Sequence, residues 1–205
     1  MHVAAVHGHP SIIVKLAGTS VEVNSHDDSG RTPLYVSCAL GHVTTSRVLI
    51  EAKADVNSQD RKKRTPLHVA ATNSHCSLAS LLVEAGASAS IGDHRGRTAL
   101  HYAAEIGALD VATLLVKAAD GPEATNVRDA KGRTPLHVAA INSRNDILDV
   151  LLENGADVHV QDSKGLTAFR SVLRFGLGAL GFGCAWFDFG QYTGAGQCRA
   201  ESPKP

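Results

Sequence analysis

Short hydrophobic clusters recur along the chain with nearly constant spacing. Aliphatic triplets begin at Val48, Leu81, Leu114 and Val150, at intervals of 33, 33 and 36 residues. A second signal, Thr followed by Pro or Ala and then by an apolar residue, keeps the same phase. Its copies begin at Thr32, Thr65, Thr98, Thr134 and Thr167, and each Thr lies five residues after an aspartate, namely Asp27, Asp60, Asp93, Asp129 and Asp162. Three signals in one register indicate an internal repeat.

Each repeat is predicted to begin with a short helix. Thr65 has the side chain that an N-cap position favours, and Pro66 suits the first helical position because its missing N–H would have no partner there. The small residues Ala70 and Ala71 then leave a face on which another helix packs closely. The aliphatic triplet predicts a second helix, which we expect to end near Gly86 in this repeat and near Gly155 in a later one.

The motif Thr65-Pro66-Leu67-His68-Val69-Ala70-Ala71, repeated every 33 residues, resembles the ankyrin repeat. The resemblance covers residues 2 to about 173 and implies an all-α solenoid of stacked helix-turn-helix units joined by hairpin loops. By this register residues 1–26 are a partial first repeat, 27–161 hold four complete repeats and 162–175 are a partial last one. The three extra residues of the 36-residue interval are placed at 120–122.

The last thirty residues break the pattern. Residues 176–205 carry seven glycines between positions 176 and 196, and no period of 3.6 or 2 organises their aromatic side chains. We favour a disordered tail. The alternative is that the tail folds back, with Trp186 against the uncovered end of the stack.

Two lysines replace glycines of the repeat pattern. Lys53 stands where a helix-terminating glycine is expected and Lys63 where a loop glycine is expected. A left-handed backbone at either position costs a non-glycine residue up to about 1 kcal/mol. The loop over residues 55–64 is therefore predicted to be the least stable of the stack.

The charge and composition of the chain limit the partners and the cellular compartment that we expect for the protein. The 205 residues carry 20 basic and 20 acidic side chains, so bulk charge does not demand nucleic acid or an anionic membrane. The four cysteines form no CxxC pair, there is no signal-peptide pattern, and no apolar stretch approaches the ~18 residues of a membrane span. We predict an intracellular protein, cytoplasmic, nuclear or both, without a membrane association.

No residue pattern indicates catalysis. The sequence has no nucleophile elbow, phosphate-binding loop or dinucleotide fingerprint. The recurring aspartates begin loops, where a carboxylate accepts local N–H bonds, so they are predicted to form turns. His68, His101 and His137 recur once per repeat, which the resemblance explains as structural hydrogen bonding, so no metal site or cofactor is expected. The chain is predicted not to be an enzyme.

A partner-binding surface is predicted along the loops and the adjoining ends of the first helices, because such positions align in stacked repeats into an extended concave surface. Its basic members are Arg31, Arg61, Lys62, Arg64, Arg95, Arg97, Lys131 and Arg133, and its helix-face members are Tyr35, Leu40, Asn73, Ile106 and Asn142. The predicted occupant is a protein with an acidic segment. The competing interpretation is that these cations only keep the loops solvated.

Other functions compete with this interpretation. The chain could be a fragment or isoform of a larger ankyrin-bearing enzyme, channel or ubiquitin-ligase receptor. Nucleic acid is disfavoured because the repeats contain only Tyr35 and Tyr102 for stacking on bases. Residues 61–64 also have the composition of a nuclear import signal. Finally, the resemblance implies that Asn57, which occupies the hairpin asparagine position, can be hydroxylated. The oligomeric state stays open.

Overall fold

A computed structural model describes residues 1–19, 21–118 and 124–175, with side chains described as far as Ser171. Over these ranges the chain forms eleven α-helices and no strand. The helices are α1 (His2–Val6), α2 (Pro10–Ala17), α3 (Pro33–Ala39), α4 (Val43–Glu51), α5 (Pro66–Thr72), α6 (Cys76–Glu84), α7 (Ala99–Ile106), α8 (Leu109–Ala118), α9 (Pro135–Ile141), α10 (Asn145–Glu153) and α11 (Ala168–Phe175). A single 3-10 turn, Ala124–Asn126, precedes the fourth loop.

The helices form two layers. The first helices of successive repeats, α1, α3, α5, α7, α9 and α11, each pack on the next one along the chain. The second helices, α2, α4, α6, α8 and α10, form a parallel row behind them. Loops connect each second helix to the following first helix, so contacts run between neighbouring repeats, as in a solenoid.

The aliphatic triplets supply the core between the layers. Leu49, Leu82, Leu115 and Leu151 occupy one phase of the repeat and are all fully buried. Ala70 and Ala71 of α5 are also fully buried, which lets the first helices approach closely. The prediction of an all-α solenoid with two helices per repeat is therefore confirmed.

A histidine fixes the start of three first helices. The His68 ring accepts a hydrogen bond at Nδ1 from the Thr65 N–H, at 3.0 Å, and Nε2 lies 2.9 Å from the Arg97 carbonyl of the next loop. Because Nδ1 accepts, the proton is on Nε2 and the ring is neutral. His101 and His137 make the same pair of contacts. These histidines are structural, as the resemblance implies.

Departures from the repeat pattern have local consequences. Lys53 and Lys63 adopt left-handed backbone with φ of 67° and 58°, as expected at glycine positions. In α2, Ile13 is fully buried while Lys15 is exposed, so this second helix is partly exposed. The insertion placed at 120–122 and the tail over 176–205 lie outside the described residues.

Candidate partner-binding surface

Each loop is organised around its aspartate. Asp60 Oδ1 accepts hydrogen bonds from the N–H groups of Lys62 at 2.8 Å and Arg64 at 2.9 Å, and the Asp60 N–H donates to the Arg64 carbonyl. The other four aspartates close their loops in the same way, namely Asp27, Asp93, Asp129 and Asp162. The prediction that these carboxylates form turns is confirmed.

Backbone hydrogen bonds join each loop to the next. The His94 N–H donates to the Lys62 carbonyl at 3.0 Å, and the Ala130 N–H donates to the Arg95 carbonyl at 2.7 Å. Bonds between Arg61 and Ser29 and between Ser163 and Lys131 complete the row. The five loops thus form one continuous edge of the stack.

Four arginines, one at the end of each of the first four loops, are paired with carboxylates and are not free cations. Arg31, Arg64 and Arg133 each form an ion pair of 2.7 Å with the aspartate four residues earlier. Arg97 lies 3.4 Å from Asp93 and 3.0 Å from Glu105. The charge of each arginine is therefore compensated within its own repeat, and the prediction that these four side chains contact a partner stays a prediction.

The carboxyl groups of these pairs are held ionised. Burial opposes the charge of Asp60, but hydrogen bonds from the Arg64 backbone and side chain and from Tyr35 outweigh it and lower its pKa. The pKa values of Asp93, Asp129 and Asp162 are lowered by the same competition. For Asp27 the bonds to Arg31 and Ser29 lower the pKa to about 2. The first four loops therefore stay ion-paired at neutral pH, whereas Asp162 is ionised without an arginine partner.

Arg97 is the most fully engaged of the arginines. Its guanidinium carbon lies 4.1 Å above the centre of the Tyr102 ring, and Nη2 donates to the Tyr102 hydroxyl. That hydroxyl donates in turn to Asp93 Oδ2 at 2.8 Å. Because only 17% of the side chain is exposed, Arg97 has little surface left for a partner.

The Tyr35 side chain is buried and contributes little to the candidate surface. Its side chain is 4% exposed, and its hydroxyl donates a 3.0 Å hydrogen bond to Asp60 Oδ2 in the following loop. Burial raises the pKa of Tyr35 above its usual value. The ring lies between two repeats and has little exposed surface, and the predicted partner contact of Tyr35 stays a prediction.

The ends of the first helices do present exposed side chains at one phase. Leu40 and Ile106 are 51% and 44% exposed, and unlike other exposed aliphatic side chains such as Val3, Val14 and Val158 they occupy the same position of two repeats. Asn73 and Asn142 occupy the equivalent positions after α5 and α9 and are exposed as well. The Asn73 amide donates to the Ala39 carbonyl of the preceding repeat at 3.0 Å. These four positions form a strip, which we call the helix-end strip.

The remaining predicted cations lie at the loop tips. Arg61, Lys62, Arg95 and Lys131 are exposed, and none forms an ion pair in the part of the chain that the structure describes. An open groove of about 380 Å³ separates the third and fourth loops and is lined by Arg95, Arg97, Asp129, Ala130, Lys131 and Arg133. Sequence reasoning missed Lys164, an exposed cation at the equivalent tip of the fifth loop.

Asn57 lies at a junction between hairpins. Its amide donates to the Gly86 carbonyl at 3.4 Å and its carbonyl accepts from the Ser88 N–H at 2.9 Å. Asn24 makes equivalent contacts with Lys53 and Asp55. The side chain therefore has a structural role whether or not it is modified.

The described residues contain neither a metal-binding cluster nor a membrane-spanning helix. Over residues 1–19, 21–118 and 124–175 no group of three His, Cys, Asp or Glu side chains is placed to hold a metal ion. In the same ranges no helix has the length and apolar character needed to cross a membrane. Of the cysteines in these ranges, Cys38 is buried and Cys76 is partly buried, and both are free thiols.

The fold and loops together define a class: a tandem-repeat protein whose unit is a helix pair followed by an aspartate-closed hairpin. The family model described as Ankyrin repeats (3 copies) matches residues 1–93 and 78–162. The chain belongs to the ankyrin repeat family. Ankyrin repeats are generally protein-interaction modules. No curated protein matches the chain.

Proposed function

We propose that the protein is a non-enzymatic interaction scaffold that binds a protein partner along the helix-end strip and the adjoining loop tips. The observation that carries the proposal is the exposure of Leu40 and Ile106 at the same position of two repeats. Aliphatic side chains of this size gain about 1.5–3 kcal/mol when they go from full exposure to full burial, and about half of that remains for a partner that covers Leu40 and Ile106.

The neighbouring groups suit a mixed apolar and polar contact. Asn73 lies between Leu40 and Ile106 along the strip, and Asn142 follows Ile106. Amide side chains can both donate and accept hydrogen bonds, and protein interfaces combine an apolar centre with such polar groups. Short hairpins and rigidly packed helices hold these positions, so little order has to be gained on binding.

Site-specific photo-crosslinking tests the proposal. A photoreactive side chain at position 40 or 106 is compared in cell lysate with the same group at Val14 or Val158, which are exposed aliphatic residues outside the strip. We expect one protein to be crosslinked from positions 40 and 106 and not from the two controls.

A pair of matched variants then measures the contribution of the strip. L40S/I106S is expected to weaken capture of the crosslinked protein at least tenfold, while V14S/V158S leaves it within twofold. Circular dichroism first establishes that all variants are equally helical. Crosslinking of the same proteins from all four positions, or equal capture by both double variants, would contradict the proposal.

A further inference from the structure

Four cations occupy one position of successive loops. They lie two residues after the loop aspartate and are Lys62, Arg95, Lys131 and Lys164. All four are exposed, and none forms an ion pair with any other described residue. The first loop has Ser29 at this position, so the row begins at the second loop. We call these four residues the cation ladder.

Backbone hydrogen bonds fix the position of the Cα atom of each ladder residue. The N–H of Lys62 donates to Asp60 Oδ1 at 2.8 Å, and the carbonyl of Lys62 accepts from the His94 N–H of the next loop. Arg95 and Lys131 are held by the same two bonds, and Lys164 by the bond to its own aspartate. Only the side chains beyond Cα remain free to reach a ligand.

These bonds also set the spacing of the ladder. Hydrogen-bonded backbones lie about 5 Å apart, and the next residue along a chain is about 3.8 Å further on. Because Lys62 is bonded to His94, which precedes Arg95, the two Cα atoms lie within about 10 Å of each other. A peptide in the polyproline II conformation has three residues per turn and rises about 3.1 Å per residue, so one turn spans one interval of the ladder and every third side chain lies on the same face.

The surrounding charges leave the ladder positive. The aspartates beside it are neutralised by the arginines four residues after them in the first four loops, at 2.7 Å in three of these. Arg61 and Lys63 add two exposed cations at the second loop. A carboxylate of the partner would therefore meet little competition from acidic groups beside Lys62, Arg95 and Lys131, whereas Asp162, which has Leu166 in place of the arginine, competes for Lys164.

We propose that the cation ladder binds an acidic segment of the partner in polyproline II conformation, with a carboxylate at every third residue facing Lys62, Arg95, Lys131 and Lys164. This inference rests on the proposed function and names the chemistry of the partner at the loop edge. Single exposed ion pairs contribute little, so affinity depends on several pairs forming in register.

Nucleic acid fits this surface less well. Single strands are held by a basic groove together with aromatic side chains on which bases stack. The two tyrosines of the repeats, Tyr35 and Tyr102, are both buried and cannot stack on a base. The loop edge therefore offers charge without an exposed tyrosine, and the aromatic ring within it is the exposed His94.

Synthetic peptides test the spacing directly. The probe is a fluorescein-labelled 13-residue peptide in which four glutamates alternate with pairs of glycine or serine, so that they recur every third residue. A second peptide of the same composition has its four glutamates adjacent. Fluorescence anisotropy at low salt is expected to show that the intact chain binds the spaced peptide at least threefold more tightly.

Two variants of equal net charge separate the ladder from bulk electrostatics. K62Q/R95Q/K131Q/K164Q is expected to lose at least tenfold in affinity for the spaced peptide. The control K15Q/R47Q/K117Q/R170Q removes four exposed cations from helices and should stay within twofold of the intact chain. Circular dichroism confirms that both variants remain folded.

Three outcomes would contradict binding of an acidic segment by the cation ladder. They are equal affinity for the two peptides, equal loss of affinity in the two variants, and tighter binding of a labelled single-stranded oligonucleotide than of the spaced peptide. None of them affects the crosslinking result from positions 40 and 106. Failure of the ladder is therefore distinguishable from failure of the proposed function.

Discussion

The Tyr35 hydroxyl donates a 3.0 Å hydrogen bond to Asp60 Oδ2, and this bond joins the first helix of one repeat to the loop of the next. Tyr35 stands where later repeats have His68, His101 and His137. Those histidines reach a backbone carbonyl of the following loop, whereas the longer tyrosine reaches the carboxylate that closes it.

Removing this hydroxyl should weaken the coupling between the two repeats. Y35F leaves the ring in place but removes one donor from Asp60, and we expect a loss of about 1–2 kcal/mol in the free energy of unfolding. Urea denaturation followed by circular dichroism measures it. The exposed substitution V14A serves as control, and equal stability of Y35F and the unmodified chain would contradict a coupling role.

Acid should destabilise the fold through its buried histidines. Burial lowers the pKa of His101 to about 4, and it also lowers the pKa values of His68 and His137. A group whose pKa is lower in the folded state takes up its proton more readily when unfolded. Its stabilising contribution is thus complete above a pH of about 6.5 and declines as the pH falls toward the folded-state pKa, by about 1.4 kcal/mol per pH unit for each histidine.

Urea titrations at pH 7.5, 6 and 5 measure this decline. The variant H101N should show a smaller decrease in unfolding free energy over the range than the unmodified chain. H159Q changes an exposed histidine and should leave the decrease unaltered. A stability that is flat between pH 7.5 and 5 would show that these rings do not have to be neutral.

A buried hydroxyl weakens the second repeat. Thr45 is fully buried in α4, its Oγ1 has no hydrogen-bond partner, and the equivalent residues Leu78, Val111 and Ile147 are apolar. T45V removes the unpaired polar atom at nearly constant volume, so we expect a gain of about 1–2 kcal/mol in thermal or urea unfolding. The control T98V, at a helix N-cap, should lose stability. A T45V variant less stable than the unmodified chain would refute the explanation.

Backbone strain in the second loop should be relieved by glycine. Lys63 has φ of 58°, so K63G is expected to raise the unfolding free energy by up to about 1 kcal/mol. K53G, at φ of 67°, should act in the same direction. The neighbouring K62G is the control, since Lys62 has no positive φ, and it should bring no gain. Unchanged or lower melting temperatures for both K53G and K63G would contradict the strain.

Hydroxylation of Asn57 remains a prediction from the resemblance. Its amide is bonded to Gly86 and Ser88, so a modifying enzyme must first open the junction between the two hairpins. We expect an intact peptide from well-oxygenated cells to carry one added oxygen at Asn57, detected by fragmentation mass spectrometry. A fully unmodified peptide would count against it, and Asn24 in the same sample provides a comparison.

The fold could be predicted because three independent signals share one period. Side-chain roles at the loop edge could not be predicted so well. An arginine recurs at the end of each of the first four loops, which suggests a charged surface. Each of these arginines, however, follows an aspartate by four residues and pairs with it. The position of Tyr35 in the repeat suggests a surface contact, because the sequence does not show that its hydroxyl reaches Asp60.

Two further features carry little sequence signal. Ser74 and Ser143 adopt left-handed backbone, with φ of 57° and 55°, between the two helices of their repeats. Other repeats have Gly41 and Gly107 there, but serine gives no comparable indication of a positive φ. Lys164 could not be predicted as a partner-binding cation because its repeat resembles a partial terminal copy and its loop has no net charge.

The bond from the Ala130 N–H to the Arg95 carbonyl, at 2.7 Å, spans the one interval in which the repeat is 36 residues long instead of 33. The loop edge therefore keeps the same pitch where the intervening chain is longer. The extra residues are therefore accommodated elsewhere in the repeat without displacing the loop tips. Backbone hydrogen bonds between loops, and not the length of the repeat, set the spacing of the tips.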